Sequence, residues 1–255
     1  MTGNAIGFYT LLKREFWRFF KVPNNTIFPQ LITAAFFMLV FGIALGSHIT
    51  SVAGVSYLLF ILPGLFVQNL INGSYMNGSG SLFVSRHFGN MQDVLVSPIS
   101  HHQMVAAYIL SSMARGFFLG IGTLAIALLF TAFSISHPWV LLLYSLLTSF
   151  LFSCCGIIIG LWSRTWEQLN IFINFVVTPL TFLGGVFYTL EMVPPAVALI
   201  TRLNPVFYVV DGIRYGMLGI AGSSIALGLA FLAGASAVLY LIVFRLVKSG
   251  YNLKV

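Results

Sequence analysis

Charge is what this chain has least of. Lysine, arginine, aspartate and glutamate together make up 7% of its 255 residues, and five of them are acidic. A soluble domain carries about 25% charged residues. A chain this poor in charge cannot cover a water-facing surface, which excludes a soluble enzyme or a freely dissolved binding module. Cysteine is almost as scarce. Cys154 and Cys155 sit side by side inside an apolar run, which supports neither a disulfide framework nor a metal site. His101 and His102 are adjacent, so they point to different faces of a helix, and no cysteine or carboxylate stands beside them at ligand spacing. A glycine-rich stretch from Gly73 to Ser79 superficially echoes a phosphate loop but lacks its lysine and falls in or beside an apolar run. The chain therefore has no nucleotide-driven motor of its own. Nor do its first residues show an apolar core followed by a small-residue cleavage site, so no cleavable leader is expected.

What is present is apolar surface: 59% of the residues are hydrophobic and the mean hydropathy is +0.99. The apolar runs are not alternating, so helices rather than barrel strands are expected to cross the bilayer. Six spans fit, at about 27–46, 57–75, 104–130, 139–161, 169–187 and 225–244. Pro29 is tolerated in the first turn of the first span. Pro63-Gly64 predicts a kink in the second, whose helix can continue to Phe83. Ahead of them, 6–21 reads as an amphipathic helix lying in the membrane interface. Phe8, Leu12, Phe16, Phe19 and Phe20 share one broad face, with Trp17 beside them, and Arg14, Arg18 and Lys21 lie roughly opposite. Pro23-Asn24-Asn25 breaks it.

The net charge of +7 would suggest nucleic acid in a soluble protein, but here the positives flank apolar runs and report topology, so no nucleic-acid partner is expected. With both termini in the cytoplasm, Lys13, Arg14, Arg18, Lys21, Arg86, Arg164, Arg245, Lys248 and Lys254 are inside, and only Arg202 and Arg214 outside. Trp139, Trp162 and Trp166 fall at predicted span ends, where interfacial tryptophan belongs. Arg115 lies within the third span. Either that helix begins deep in the cytoplasm and Arg115 snorkels, or Arg115 lines a path. Glu167, near Arg164, reads as half of a surface pair or as part of a partner-facing surface.

Two stretches between spans carry more information than the rest. The first, Arg86 to Gln103, places Phe88, Met91 and Leu95 on one side of a short helix that Ser97-Pro98 ends. Its chemistry fits either a turn packed on its own bundle or a docking surface whose Met and Leu fill a groove on a soluble partner. The second, 188–223, begins after Gly184-Gly185. Pro194-Pro195 opens a short helix, Asn204-Pro205 stops it and starts another, and Asp211 and Arg214 stand at i, i+3, where they can pair on one face.

These two stretches resemble those of ABC-2 type permeases, the membrane subunits of a class of ABC exporters. The first stretch carries the family's Arg, Gly and Leu-x-Ser-Pro-x-Ser pattern as Arg86, Gly89 and Leu95 to Ser100. The second matches at Gly184, Gly185, Pro194, Asn204, Pro205, Tyr208, Asp211 and Arg214. The resemblance implies an all-α integral membrane fold in a single domain. That domain comprises an interfacial helix (1–25), spans one to five (26–187), a re-entrant segment on the external side (188–223), and a last span with a cytoplasmic tail (224–255). It implies that Arg86, Phe88, Gly89, Met91, Leu95, Ser97 and Pro98 form a coupling helix that docks an ATP-binding subunit. It also implies that the external helix pair dips into the outer leaflet and helps close the exit. On this reading the chain binds no cofactor. ATP and Mg sit on two copies of the partner, and two copies of this chain form the path in a bacterial inner membrane. The pattern is most similar to the drug-export and nodulation-type branch. The Phe-rich, polar-poor spans favour an amphipathic or lipid-like cargo over a polysaccharide. An intramembrane enzyme and a passive channel are the alternatives of another class. The enzyme is disfavoured because the five acidic residues form no pair at one membrane depth.

Overall fold

The computed structural model describes residues 3–44 and 51–253, and no β-strand occurs among them. Residues 45 and 46, the end of the first predicted span, and Lys254 lie outside the described residues. The order is α1 (Gly3–Phe20), α2 (Pro23–Thr26), α3 (Phe28–Phe37) continued by a π-helical turn (Met38–Ala44), α4 (Tyr57–His87), α5 (Met91–Val96), α6 (His101–Ala127) and α7 (Pro138–Trp162). Then come α8 (Trp166–Phe172), a second π-helical turn (Ile173–Val177), α9 (Thr178–Phe182), a 3-10 turn (Leu190–Met192), α10 (Pro195–Leu203), α11 (Pro205–Leu218) and α12 (Ile225–Lys248).

Among the described residues four helices are long and apolar enough to cross a membrane: α4, α6, α7 and α12. The bent pair α10–α11 makes a fifth if taken as one span. The chain is thus a multi-pass helical membrane protein with four to five candidate spans among the described residues, and the first and fifth of the six expected spans are not single α-helices. Both have local causes. At the first, the α-helix yields after ten residues to the π turn. At the fifth, Pro179 sits at the start of α9 and brings no N–H, and the π turn immediately before it absorbs the missing hydrogen bond by a change of register. By contrast, α4 runs for 31 residues straight through Pro63, four residues beyond the predicted Phe83 limit.

α4 is the centre of the bundle. In its most apolar stretch 78% of residues are buried, against 22% for α12, which lies at the periphery. Small residues let its neighbours approach. A Cβ on Gly160 of α7 would stand 2.6 Å from the Ser79 carbonyl oxygen, one on Gly156 would collide with the Tyr75 carbonyl, and one on Gly73 would stand 2.8 Å from the Gly116 Cα on α6. Such backbone proximity is how helices associate in lipid, where burial of apolar surface gives no net drive.

α1 packs against this core, but not on the face that its phenylalanines alone suggest. Leu11, Glu15 and Phe19 are the buried stripe, with Leu12 and Phe16 flanking them. Glu15 is 1% exposed. It pairs with Arg14 Nη2 at 2.8 Å and Arg18 Nε at 3.1 Å and accepts the Ser81 hydroxyl of α4. Arg18 also donates to the Asn77 side-chain oxygen at 3.1 Å. Arg18 therefore turns toward Glu15 and α4, while Arg14 pairs with Glu15 from the exposed side. Replacing Gly156 with Val is expected to lower the stability of the purified protein by about 1–3 kcal/mol through overpacking. Gly234→Ala, at a site with nothing within 4 Å, should be neutral. Thermal unfolding in detergent checks both.

Candidate functional site

The α4–α6 loop is built by its caps. α4 ends at Phe88, and Gly89, at φ +75°, takes the left-handed conformation that turns the chain. Pro98 holds Ser97 extended, which ends α5, and the Ser97 hydroxyl donates to the Val94 carbonyl at 2.6 Å. Ser100 and Gln103 then form a reciprocal capping box that starts α6. Between these stops α5 has a fixed orientation. Met91 is 1% exposed and, with Val94, packs among Leu11, Leu82, Met104 and Tyr108. Leu95 is partly buried beside them. Met91 is therefore a core residue and not an outward anchor, which corrects its expected place on the docking face. The outward apolar groups are Phe88, 68% exposed, and Val96, 84% exposed.

Arg86 also faces inward. Its Nη1 donates to the Gly160 and Leu161 carbonyls at 2.9 and 2.8 Å, capping the last turn of α7. α1 lies beside α5 across a cleft of about 220 Å³ lined by Thr10, Arg14, Asp93 and Ser97. Trp17 is exposed, and Phe16 packs on it edge-on at 5.9 Å between centroids. α1 and the α4–α6 loop thus form one end of the molecule. Glu167, exposed at the start of α8, makes no ion pair with Arg164 among the described contacts. Its own backbone N–H and Thr165 hold its carboxyl below the usual range.

At the other end, α10 and α11 meet at 87°. Asn204 makes that corner. Its Oδ1 accepts from Val206 N at 2.9 Å, its Nδ2 donates to the Leu180 carbonyl at 2.6 Å, and Pro205 occupies the first position of α11. Pro194 caps α10, whose Leu199, Ile200 and Leu203 are exposed. Gly184 and Gly185 form the turn after α9. Gly185 adopts φ +77°, and a Cβ on Gly184 would stand 3.3 Å from the Val206 carbonyl carbon. The Tyr208 hydroxyl donates to the Arg202 carbonyl at 3.1 Å.

Asp211 and Arg214 do not form the expected ion pair. The Asp211 carboxylate accepts from Gly222 N at 2.8 Å and from the Ser223 hydroxyl at 2.5 Å, closing the turn after α11. Arg214 donates from Nη2 to the Gly185 carbonyl at 2.5 Å, and its guanidinium lies 4.2 Å from the Phe60 ring centre. Each charge satisfies a different loop, and both line a cavity of about 260 Å³ with Glu191 and Arg202. Arg115, 5% exposed, donates to the Thr26 carbonyl at 2.9 Å and so holds the α1–α3 elbow against α6, an arrangement that serves packing. Glu15 was not among the residues singled out from sequence, although a lone acid between Arg14 and Arg18 on an otherwise basic helix marks it.

A profile of the ABC-2 type transporter family matches residues 7–218, which spans the buried stripe of α1, the α4–α6 loop and the whole broken pair. The chain belongs to the ABC-2 type transporter family. It is 36% identical over 242 residues to the inner membrane transport permease YadH of Escherichia coli K12, covering 94% of each chain. It is 25% identical over 229 residues to nodulation protein J of Rhizobium meliloti, covering 86% of this chain and 84% of that one. As an ABC-2 family member it is a transport permease rather than an enzyme. Because Asp211 and Arg214 serve separate loops, Asp211→Ala is expected to speed hydrogen exchange at the 219–223 turn and leave the 183–188 turn alone, with Arg214→Ala doing the reverse. Equal loosening of both turns by either change would restore the paired arrangement.

Proposed function

We propose that this chain is the membrane-spanning permease subunit of an ABC exporter. Two copies form the path, and two copies of a separate ATP-binding subunit, which hold the ATP and Mg, drive it. The observation that carries this reading is the family match over residues 7–218, from α1 to the end of α11, together with the apolar pair Phe88 and Val96 presented beside α1. Nine basic residues against two support a cytoplasmic position for that end and for both termini. The likeness to an inner membrane permease supports a bacterial inner membrane. α5 follows α4 after a three-residue turn, so a push on Phe88 and Val96 reaches the centre of the bundle along a single helix. Gly184, Gly185, Asn204 and Arg214 tie the broken pair to α9 and to that same helix, which fits an exit gate.

The cargo on this reading is amphipathic or lipid-like. A wholly apolar cleft of about 410 Å³ between α7, α9, α11 and α12, lined by Phe152, Phe172, Val177 and Phe231, favours an acyl-bearing molecule. The polar cleft between α3 and α4 has room for a sugar-like headgroup on such a cargo, so a glycolipid permease is the second reading. Gentle extraction from the native membrane tests the proposal. An ATP-binding protein is expected to co-purify in stoichiometric amount and to be lost in the double variant Phe88→Asp/Val96→Asp without a drop in melting temperature. Met91→Asp should instead lower the melting temperature. A chain that purifies alone, under conditions that preserve other membrane complexes, would overturn the exporter reading.

A further inference from the structure

Within its apolar surroundings the bundle holds a concentration of carboxamides. Gln30 and Thr33 on α3 face Gln68, Asn69 and Asn72 on α4 across a cleft of about 170 Å³. At roughly 30 Å³ per water, that is room for about half a dozen waters or one headgroup-sized ring. Gln68 and Asn72 are four residues apart, on one face of α4, and both are partly accessible. They lie 11 and 15 residues after Tyr57, roughly 16–22 Å along the helix at 1.5 Å per residue. In a hydrocarbon core about 30 Å thick that is near the middle.

The back wall of the cleft is already satisfied. Asn69 donates to the Thr123 hydroxyl of α6 at 2.7 Å, and Thr123 donates to the Leu119 carbonyl at 2.9 Å. The front wall is not. The Gln30 Oε1 atom is buried and has no hydrogen-bond partner. An unpaired carbonyl oxygen in lipid is costly, and polar groups at this depth face a cavity or a partner group. None of the lining residues is charged. Each carboxamide offers both a donor and an acceptor, which suits hydroxyl and amide groups and disfavours a phosphate or an ammonium ion.

We propose that this cleft binds the uncharged, hydroxyl- or amide-rich headgroup of the transported molecule. The proposal deepens the exporter reading and rests on it. It makes the cargo a neutral amphiphile, with the carboxamides at the headgroup and the bilayer or the apolar cleft at the tail.

The test uses the full chain in proteoliposomes with its co-purified partner. Thr33→Cys is introduced, with Cys154 and Cys155 replaced by Ala, and its rate of modification by a water-soluble thiosulfonate is followed. Octyl glucoside below its lytic concentration is the probe, and octyl phosphate is the control with the same tail. The thiol is expected to react, octyl glucoside to slow the reaction in a saturable way, and octyl phosphate to leave it unchanged. Gln68→Leu/Asn72→Leu should weaken the glucoside protection by about tenfold or more, on the order of 1.4 kcal/mol. Both leucines suit lipid, and an unchanged melting temperature shows that the fold persists. Equal protection by both amphiphiles, or protection that survives the two leucines, would overturn the site. So would a thiol that never reacts, the result expected if a second copy fills the cleft. A partner that stays bound while protection fails sinks the headgroup site alone. Glucoside protection in a chain that has no ATP-binding partner sinks the exporter reading alone.

Discussion

The structure depends on how closely other backbones approach α4. Lipid gives apolar side chains no reason to leave it, so a bundle in a membrane is held by close contact and by hydrogen bonds between helices. α4 supplies both. Glycines let the backbones meet: α6 sits on α4 at Gly73, and Gly156 and Gly160 of α7 sit against the α4 backbone at Tyr75 and Ser79. Through its hydroxyls and amides it binds α1 at Ser81 and Asn77 and α6 at Asn69. Its last turn sends Arg86 to the carbonyl end of α7, and near its first turn Phe60 receives Arg214. The polar residues of α4, which look like a weakness in a spanning helix, are the fastening points of the fold.

This view also explains which features were legible in the sequence. The long spans were, because an uninterrupted apolar run of the right length has few other fates. So were the helix stops and starts, since Ser97-Pro98, Asn204-Pro205 and Pro194 act through local backbone geometry that needs no tertiary knowledge. The breaks at Met38–Ala44 and Ile173–Val177 were not, because a π turn is a matter of hydrogen-bond register and leaves composition unchanged. Spacing put Asp211 and Arg214 within reach of each other. It could not show that Gly222 and Ser223 compete for the carboxylate while the Gly185 carbonyl waits for the guanidinium.

The candidate site was legible as a segment and less so as a set of residues. The apolar positions Phe88, Met91 and Leu95 share a stripe, but a stripe does not say which side the bundle covers. Leu82, Met104 and Tyr108 take Met91 and Val94, and the outward face passes to Phe88 and Val96. In α1 the phenylalanines hid a buried carboxylate, because a hydrophobic face read from composition discounts a lone acid that two arginines neutralise. Function follows the same division. Family membership gives the class of activity, and the structure arranges the groups along α4 in order: exposed Phe88 and Val96 at one end, the carboxamide-lined cleft midway, and the broken α10–α11 pair at the other.

All of this requires α4 to be one continuous helix despite Pro63, since a break there would separate the Phe60–Arg214 end from the Arg86–Phe88 end. Spin labels at Leu58 and His87, with pulsed-dipolar distances recorded in lipid, measure this directly. A single narrow distribution is expected near the roughly 43 Å that 1.5 Å per residue gives. It should be unchanged when the ATP-binding partner and ATP are present. A markedly shorter or two-peaked distribution, or one that shifts with ATP, would show that α4 bends at Pro63 and does not join the two ends.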